Sequence, residues 1–350
     1  MGAKMRSSVR LCGEGRLVRL WTLLAGALPR PPIVRPFRPG APRQVAFAAY
    51  LFSLLFASAY MLITVGSALP SARAAAAGKA PDGGYVPVGA ALAGALLWVV
   101  VAGLAWLFLA MAEPRDAVGL PRASACTVAR ASLSVFVLAE SVGFVASVAW
   151  GYVSDHVAYL NAHSGSSSHP GVLADLAGSV AAGFSEEIVV VVLPVCLAYR
   201  LRRHVTNPRL RRAGLVVLVA GMLLARLSYH VMYGFGALPL AVWALASILV
   251  YLRTRAVLPL MIAHAVYDMI LAVIRPVAGS YGRTSGIAVY ALIVGVALVM
   301  LIATSPVRRS GQRNAASRLR GHPGSAAPMV ADLSSTTTST DPHQRGVGTA

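Results

Sequence analysis

Residues 172–199 read VLADLAGSVAAGFSEEIVVVVLPVCLAY, a stretch that is long and apolar enough to cross a bilayer as one helix. Its centre carries two adjacent acids, Glu186 and Glu187. An acid at the bilayer centre costs roughly 2.5–3.5 kcal/mol on insertion scales, and two neighbouring carboxylates repel each other when both are ionised. The fold must therefore supply partners for them, and such intramembrane acids mark active sites or ion pathways.

The whole chain has the composition of a membrane protein. Of its 350 residues, 57% are hydrophobic and only 12% are charged, which excludes an ordinary soluble domain. Apolar stretches near the length of a bilayer span predict an all-α, multi-pass transmembrane bundle of about eight helices. These stretches are 47–69, 87–112, 132–153, 172–199, 214–234, 237–252, 256–274 and 286–304.

The sequence divides into a bundle and two tails. We expect the bundle to occupy 46–304, after a basic tail at 1–45. The tail at 305–350 is rich in Ser, Thr, Gly, Pro and Arg and lacks apolar periodicity, so it is predicted to be disordered.

The positions of Lys and Arg predict how the bundle is oriented. The short loops 113–131, 200–213 and 253–255 together carry eleven of these residues, against four in the loops on the opposite side. Loops rich in Lys and Arg stay in the cytoplasm, so we expect a cell-membrane protein with both termini cytoplasmic. The net charge of +19 follows from this pattern, and no nucleic-acid partner is predicted.

Further polar residues lie inside the predicted spans. His264 and Asp268 are four residues apart and share one helix face, as do Arg226 and His230. Glu140 lies in another span, where it could neutralise Arg226 by pairing with it.

Two carboxylates, two imidazoles and a third acid suit hydrolysis of an acyl group, most naturally a peptide bond. A carboxylate can act as a general base toward water with help from an imidazole, and the second imidazole can stabilise an oxyanion. The same residue types also suit a divalent metal such as zinc or an ion pathway, so these alternatives stay open. The sequence has no H-E-x-x-H motif of the zinc proteases.

Three motifs in chain order resemble the CPBP group of membrane proteins. That group includes the type II CAAX prenyl endopeptidases and the Abi proteins linked to bacteriocin self-immunity. Its pattern is E-E-x-x-x-R, then F-x-x-x-H, then H-x-x-x-N/D. Glu186 and Glu187 match the first motif, His230 supplies the second histidine, and His264 and Asp268 match the third. The similarity covers about 172–275, and the CPBP-like core is expected at 172–304.

The resemblance implies a role for each matched residue. Glu186 and His230 would activate the water, His264 and Asp268 would form the oxyanion-binding side, and Glu187 would support the site. Family members of the CAAX type work as glutamate-dependent proteases without an obligate catalytic metal, so no cofactor is predicted and a metal such as zinc is not favoured. For Asp268 to donate a hydrogen bond it must carry a proton, which burial would favour.

This chain departs from the family pattern at two positions. The arginine of the first motif is Val191, and the phenylalanine of the second is Arg226. We hypothesise that the two changes compensate, with Arg226 as the new partner of the carboxylates. The alternative is that Arg226 pairs with Glu140 and the site has decayed.

The resemblance therefore predicts a glutamate-dependent intramembrane endopeptidase. Its substrate would be a membrane-associated peptide or a protein like the prenylated substrates of the family, reached from within the lipid bilayer. Two rivals are a non-catalytic scaffold or immunity-type protein and, less favoured, an ion or metal transporter. A transporter would be expected to show paired broken helices.

Overall fold

The computed structural model describes residues 42–79, 87–120, 123–163, 171–202, 204–281 and 283–304. These residues form helices and no β-strand. In chain order the helices are α1 (Arg43–Ala76), α2 (Val88–Ala112), α3 (Ala125–Val135), α4 (Ser141–His156), α5 (Ala158–Ala162), α6 (Val172–Glu186), α7 (Leu193–Arg202), α8 (Pro208–Ser228), α9 (Leu238–Thr254), α10 (Val257–Tyr281) and α11 (Arg283–Ala303). The predicted all-α bundle is confirmed. The predicted tails lie outside the described residues, apart from 42–45.

Within the described part of the chain, seven helical stretches are long and apolar enough to cross a membrane, rather than the eight predicted. The difference is α8, predicted as a span at 214–234. It begins at Pro208, because the Asn207 side chain accepts a hydrogen bond from the Arg209 amide and proline suits the first helical position. The arginines of its first turns and Arg226 make α8 more polar than the other long helices.

Two acidic positions coincide with π-helical turns. Phe136–Glu140 joins α3 to α4, and Glu187–Val192 joins α6 to α7. A π-helical turn holds one residue more than the α-helical pattern and occurs often at functional sites. Each turn therefore redirects the helix at the point where it carries an intramembrane acid.

The stretch Val172–Arg202 forms the centre of the bundle. In its most apolar 18 residues 72% are buried, against 22–44% in the other six spans. The consecutive residues 187–192 are all buried, so this stretch is covered on every side, which explains its continuous apolar sequence.

A glycine allows the central stretch to approach α10 closely. A Cβ atom on Gly183 would lie 2.7 Å from the backbone nitrogen of Ala265. Gly183 is one turn before Glu187, and Ala265 follows His264 directly. The close approach therefore brings the acids of one helix and the third motif of the other to the same level.

We predict that Gly183→Ala lowers the free energy of unfolding by about 1–3 kcal/mol, because the added methyl group meets backbone atoms that cannot rotate away. Thermal unfolding in detergent measures the effect. Gly178→Ala is the matched control, since Gly178 lies in the same helix with nothing within 4 Å of its Cβ position. Equal stabilities of the two variants would contradict the close approach of these helices.

Candidate functional site

Four of the five predicted catalytic residues line one cavity of about 590 Å³. They are Glu186, His230, His264 and Asp268. Three different parts of the chain supply them: the end of α6, the segment after α8, and α10. The fifth residue, Glu187, is fully buried behind the cavity wall.

A buried arginine joins the two adjacent glutamates. The guanidinium of Arg226, itself fully buried, donates through Nη2 to Oε1 of Glu187 in a close ion pair. The same nitrogen lies 3.3 Å from Oε2 of Glu186. Tyr229 donates to that same Glu186 oxygen at 2.8 Å. Both acids thus have partners, as burial in an apolar bundle requires.

His264 connects this ion pair to the third motif. Its Nδ1 lies 2.9 Å from Oε1 of Glu187, and its Nε2 lies 3.3 Å from Oδ2 of Asp268. The ring can donate to both carboxylates only when both of its nitrogens carry a proton. The geometry therefore favours an imidazolium that bridges Glu187 and Asp268.

His230 lies outside the helix in which it was predicted. Helix α8 ends at Ser228, and His230 lies in the turn before the 3₁₀ segment Val231–Tyr233. Its Nδ1 is 2.9 Å from the backbone carbonyl of Arg226. Because a carbonyl only accepts, Nδ1 carries the proton and Nε2 keeps its lone pair when the ring is neutral.

Asp268 is less buried than the sequence suggested. About 32% of its side chain is exposed, and its nearest charged partner is His264. Nothing in this geometry tests whether its carboxyl group carries a proton, so the protonated Asp268 stays a prediction. Its Oδ2 atom lies beside Nε2 of His264, four residues earlier on the same helix face.

The structure has the contact on which the compensation hypothesis depends. Arg226 bonds both glutamates, and Val191 is a fully buried apolar residue in the π-helical turn. The alternative pairing of Arg226 with Glu140 is not formed, since neither oxygen of Glu140 has a hydrogen-bond partner. Glu140 is nevertheless fully buried and interacts electrostatically with His264. It therefore belongs to the polar cluster without neutralising Arg226.

Sequence reasoning did not identify Trp243. This buried residue of α9 has its ring 4.3 Å from the Arg226 guanidinium carbon and 4.7 Å, edge-on, from the His264 ring. A Cβ on Gly143 would lie 2.6 Å from the Trp243 Cβ, so the glycine makes room for the indole. A lone tryptophan in an apolar helix gives no sequence signal for such a contact.

The described residues contain no group of three or more His, Cys, Asp and Glu side chains arranged to hold a metal ion. Both nitrogens of His264 face carboxylates and Nδ1 of His230 faces a carbonyl, whereas Nε2 of His230 keeps its lone pair. A metal-independent site stays a prediction.

Comparison with known families agrees with the motifs. Residues 169–270 match the family model described as type II CAAX prenyl endopeptidase Rce1-like. No curated protein and no solved structure matches the chain. The matched region contains both glutamates and both histidines of the cavity but begins after Glu140. The resemblance to the type II CAAX endopeptidases is therefore confirmed for residues 169–270.

Proposed function

We propose that this membrane protein is an intramembrane endopeptidase in which Glu186 activates the attacking water. One observation carries the proposal: Glu186 faces the cavity, while Arg226 and Glu187 form a buried ion pair behind it. Arg226 approaches Glu187 more closely than Glu186. Most of its charge is thus matched by the acid that faces away from the substrate.

The contacts of Glu186 suit a general base. Tyr229 and Arg226 both bond to Oε2, which fixes the carboxylate and places Oε1 to bind a water from the cavity. His230 follows Tyr229 and lines the same cavity, so its Nε2 lone pair can accept a second hydrogen bond from that water. A fixed carboxylate with an imidazole beside it is an arrangement that general-base catalysis requires.

His264 supplies the opposite side of the reaction. The water loses a proton to Glu186 and its oxygen bonds to the peptide carbonyl carbon. The resulting oxyanion then takes a hydrogen bond from Nε2 of His264, whose 3.3 Å contact with Asp268 is long enough to be shared. When the carbon–nitrogen bond breaks, the proton held by Glu186 passes to the leaving amine.

The two rival functions make different use of these residues. A scaffold needs no water-accessible carboxylate, yet Glu186 and two histidines line a cavity large enough for several residues of a peptide. A transporter would be expected to interrupt paired helices at the site. Here the α6–α7 stretch continues through its π-helical turn without a break.

We predict that Glu186→Gln lowers cleavage by roughly 10²–10⁴-fold, because an amide cannot accept the proton of the water. The measurement compares new peptide termini in membranes from cells that express the wild type or the variant at matched levels. Asp116→Asn, which removes an exposed carboxylate far from the cavity, is the control. Identical termini in the wild type and Glu186→Gln would favour the scaffold.

We further predict that Trp243 positions Arg226 and His264. A cation–π contact shielded from water contributes about 2 kcal/mol, so Trp243→Leu should reduce kcat and Trp243→Phe, which keeps an aromatic face, should reduce it less. Cleavage of a substrate found by the terminus comparison gives both values. Trp150→Leu is the control, since Trp150 lies in α4 outside the lining of the cavity. Equal kcat values for Trp243→Leu and Trp243→Phe would contradict the positioning role.

A further inference from the structure

We infer that the catalytic cavity opens on the extracytoplasmic side, so that its substrate carries the scissile bond in the outer half of the bilayer or just outside it. The identity of this substrate rests on the proposed function. The side on which the cavity opens rests only on the placement of its lining and on the charges of the loops.

The cavity lining belongs to one half of the bundle. Helices that run in alternating directions contribute lining residues from the halves that end at Ala76, Val88, His156, Val172 and Ser228. Six of these residues, each from a different helix or turn, are Ala68, Ala91, Ser147, Ala174, Tyr233 and Ala272. Glu186 lies deepest along its own stretch, near the middle of Val172–Arg202.

The other half of the bundle has an apolar lining. A cavity of about 670 Å³ in this half is lined by apolar side chains and Ser58. Five buried side chains, each at most 1% exposed, lie between the glutamates and His264 on one side and the opposite end of the bundle on the other. They are Val192, Val195, Tyr251, Val257 and Leu260. At this end the Val257 amide donates a hydrogen bond to the Gly119 carbonyl at 2.9 Å, which ties α10 to the segment that follows α2. Among the described residues, this half therefore offers water and a polar peptide no polar route to Glu186.

The end opposite the cavity carries the arginines. The segments 113–131, 200–213 and 253–255 at this end hold eleven Lys or Arg residues, and the end with the cavity holds four. The positive-inside rule assigns the arginine-rich end to the cytoplasm. The open end is then extracytoplasmic.

The charges of the lining restrict the substrate further. Among the described residues, the cavity is lined by the carboxylates of Asp175, Glu186 and Asp268, by the imidazolium of His264 and by no Lys or Arg, which leaves an excess of negative charge. A site with this balance attracts neutral or basic segments and disfavours anionic ones. The structure thus points to an uncharged or basic extracytoplasmic segment of a membrane-anchored protein.

Cysteine labelling in intact spheroplasts tests the side directly. Cys126 is exposed at the arginine-rich end, Cys196 is buried, and Cys12 can be replaced by serine. In that Cys12→Ser background, we expect a membrane-impermeant maleimide to label Ser147→Cys in intact spheroplasts. The labelled protein appears as one additional shifted band. Native Cys126 should react only after permeabilisation. The background protein without Ser147→Cys is the matched control.

The reverse pattern, with Cys126 labelled in intact spheroplasts and Ser147→Cys only after permeabilisation, would overturn the inference. A Ser147→Cys protein that reacts under neither condition would also overturn it, because the cavity would then be closed to water. Labelling the Glu186→Gln variant, together with the cleavage comparison, separates the side on which the cavity opens from the proposed peptidase function. An outward-open protein that never cleaves a peptide would keep the labelling pattern and refute only the proposed function.

Discussion

The rest of the site depends on the ion pairing of one buried arginine with two adjacent glutamates. Arg226, Glu186 and Glu187 lie within a bundle that excludes most water, and breaking a buried ion pair of this kind costs about 3–5 kcal/mol. The end of α8 must therefore lie against α6 for the acids to be tolerated. The same constraint brings the Tyr229 hydroxyl within hydrogen-bond distance of Glu186 and places His230 at the cavity wall.

Close packing at two glycines brings together the helices that surround the ion pair. Gly183 lets α6 approach α10, and Gly143 lets α4 approach Trp243. The indole covers the guanidinium of Arg226 and meets the edge of His264. These contacts limit the arrangements that the charged groups can adopt and fix the orientation of the Glu186 carboxylate.

Hydropathy predicted the fold well because a bilayer span needs about 20 apolar residues, which a single sequence displays. The bounds of α8 were missed because a polar start at Asn207–Pro208 precedes its apolar run, and the turn at His230 follows it. Charge balance predicted the contact of Arg226 with the glutamates. The exposure of Asp268 and the position of Trp243 depend on packing between distant helices, and no local pattern encodes them.

The central claim is that Arg226 replaces the arginine that the family pattern has at Val191. The most direct measurement compares the stability and peptide cleavage of purified Arg226→Phe with those of Arg226→Phe combined with Val191→Arg. Val191 is fully buried four residues after Glu187, so an arginine there can reach the same acids. We expect the single variant to lose about 3–5 kcal/mol of stability and the double variant to regain stability and glutamate-dependent cleavage. A double variant that is no more stable or active than Arg226→Phe would contradict this account.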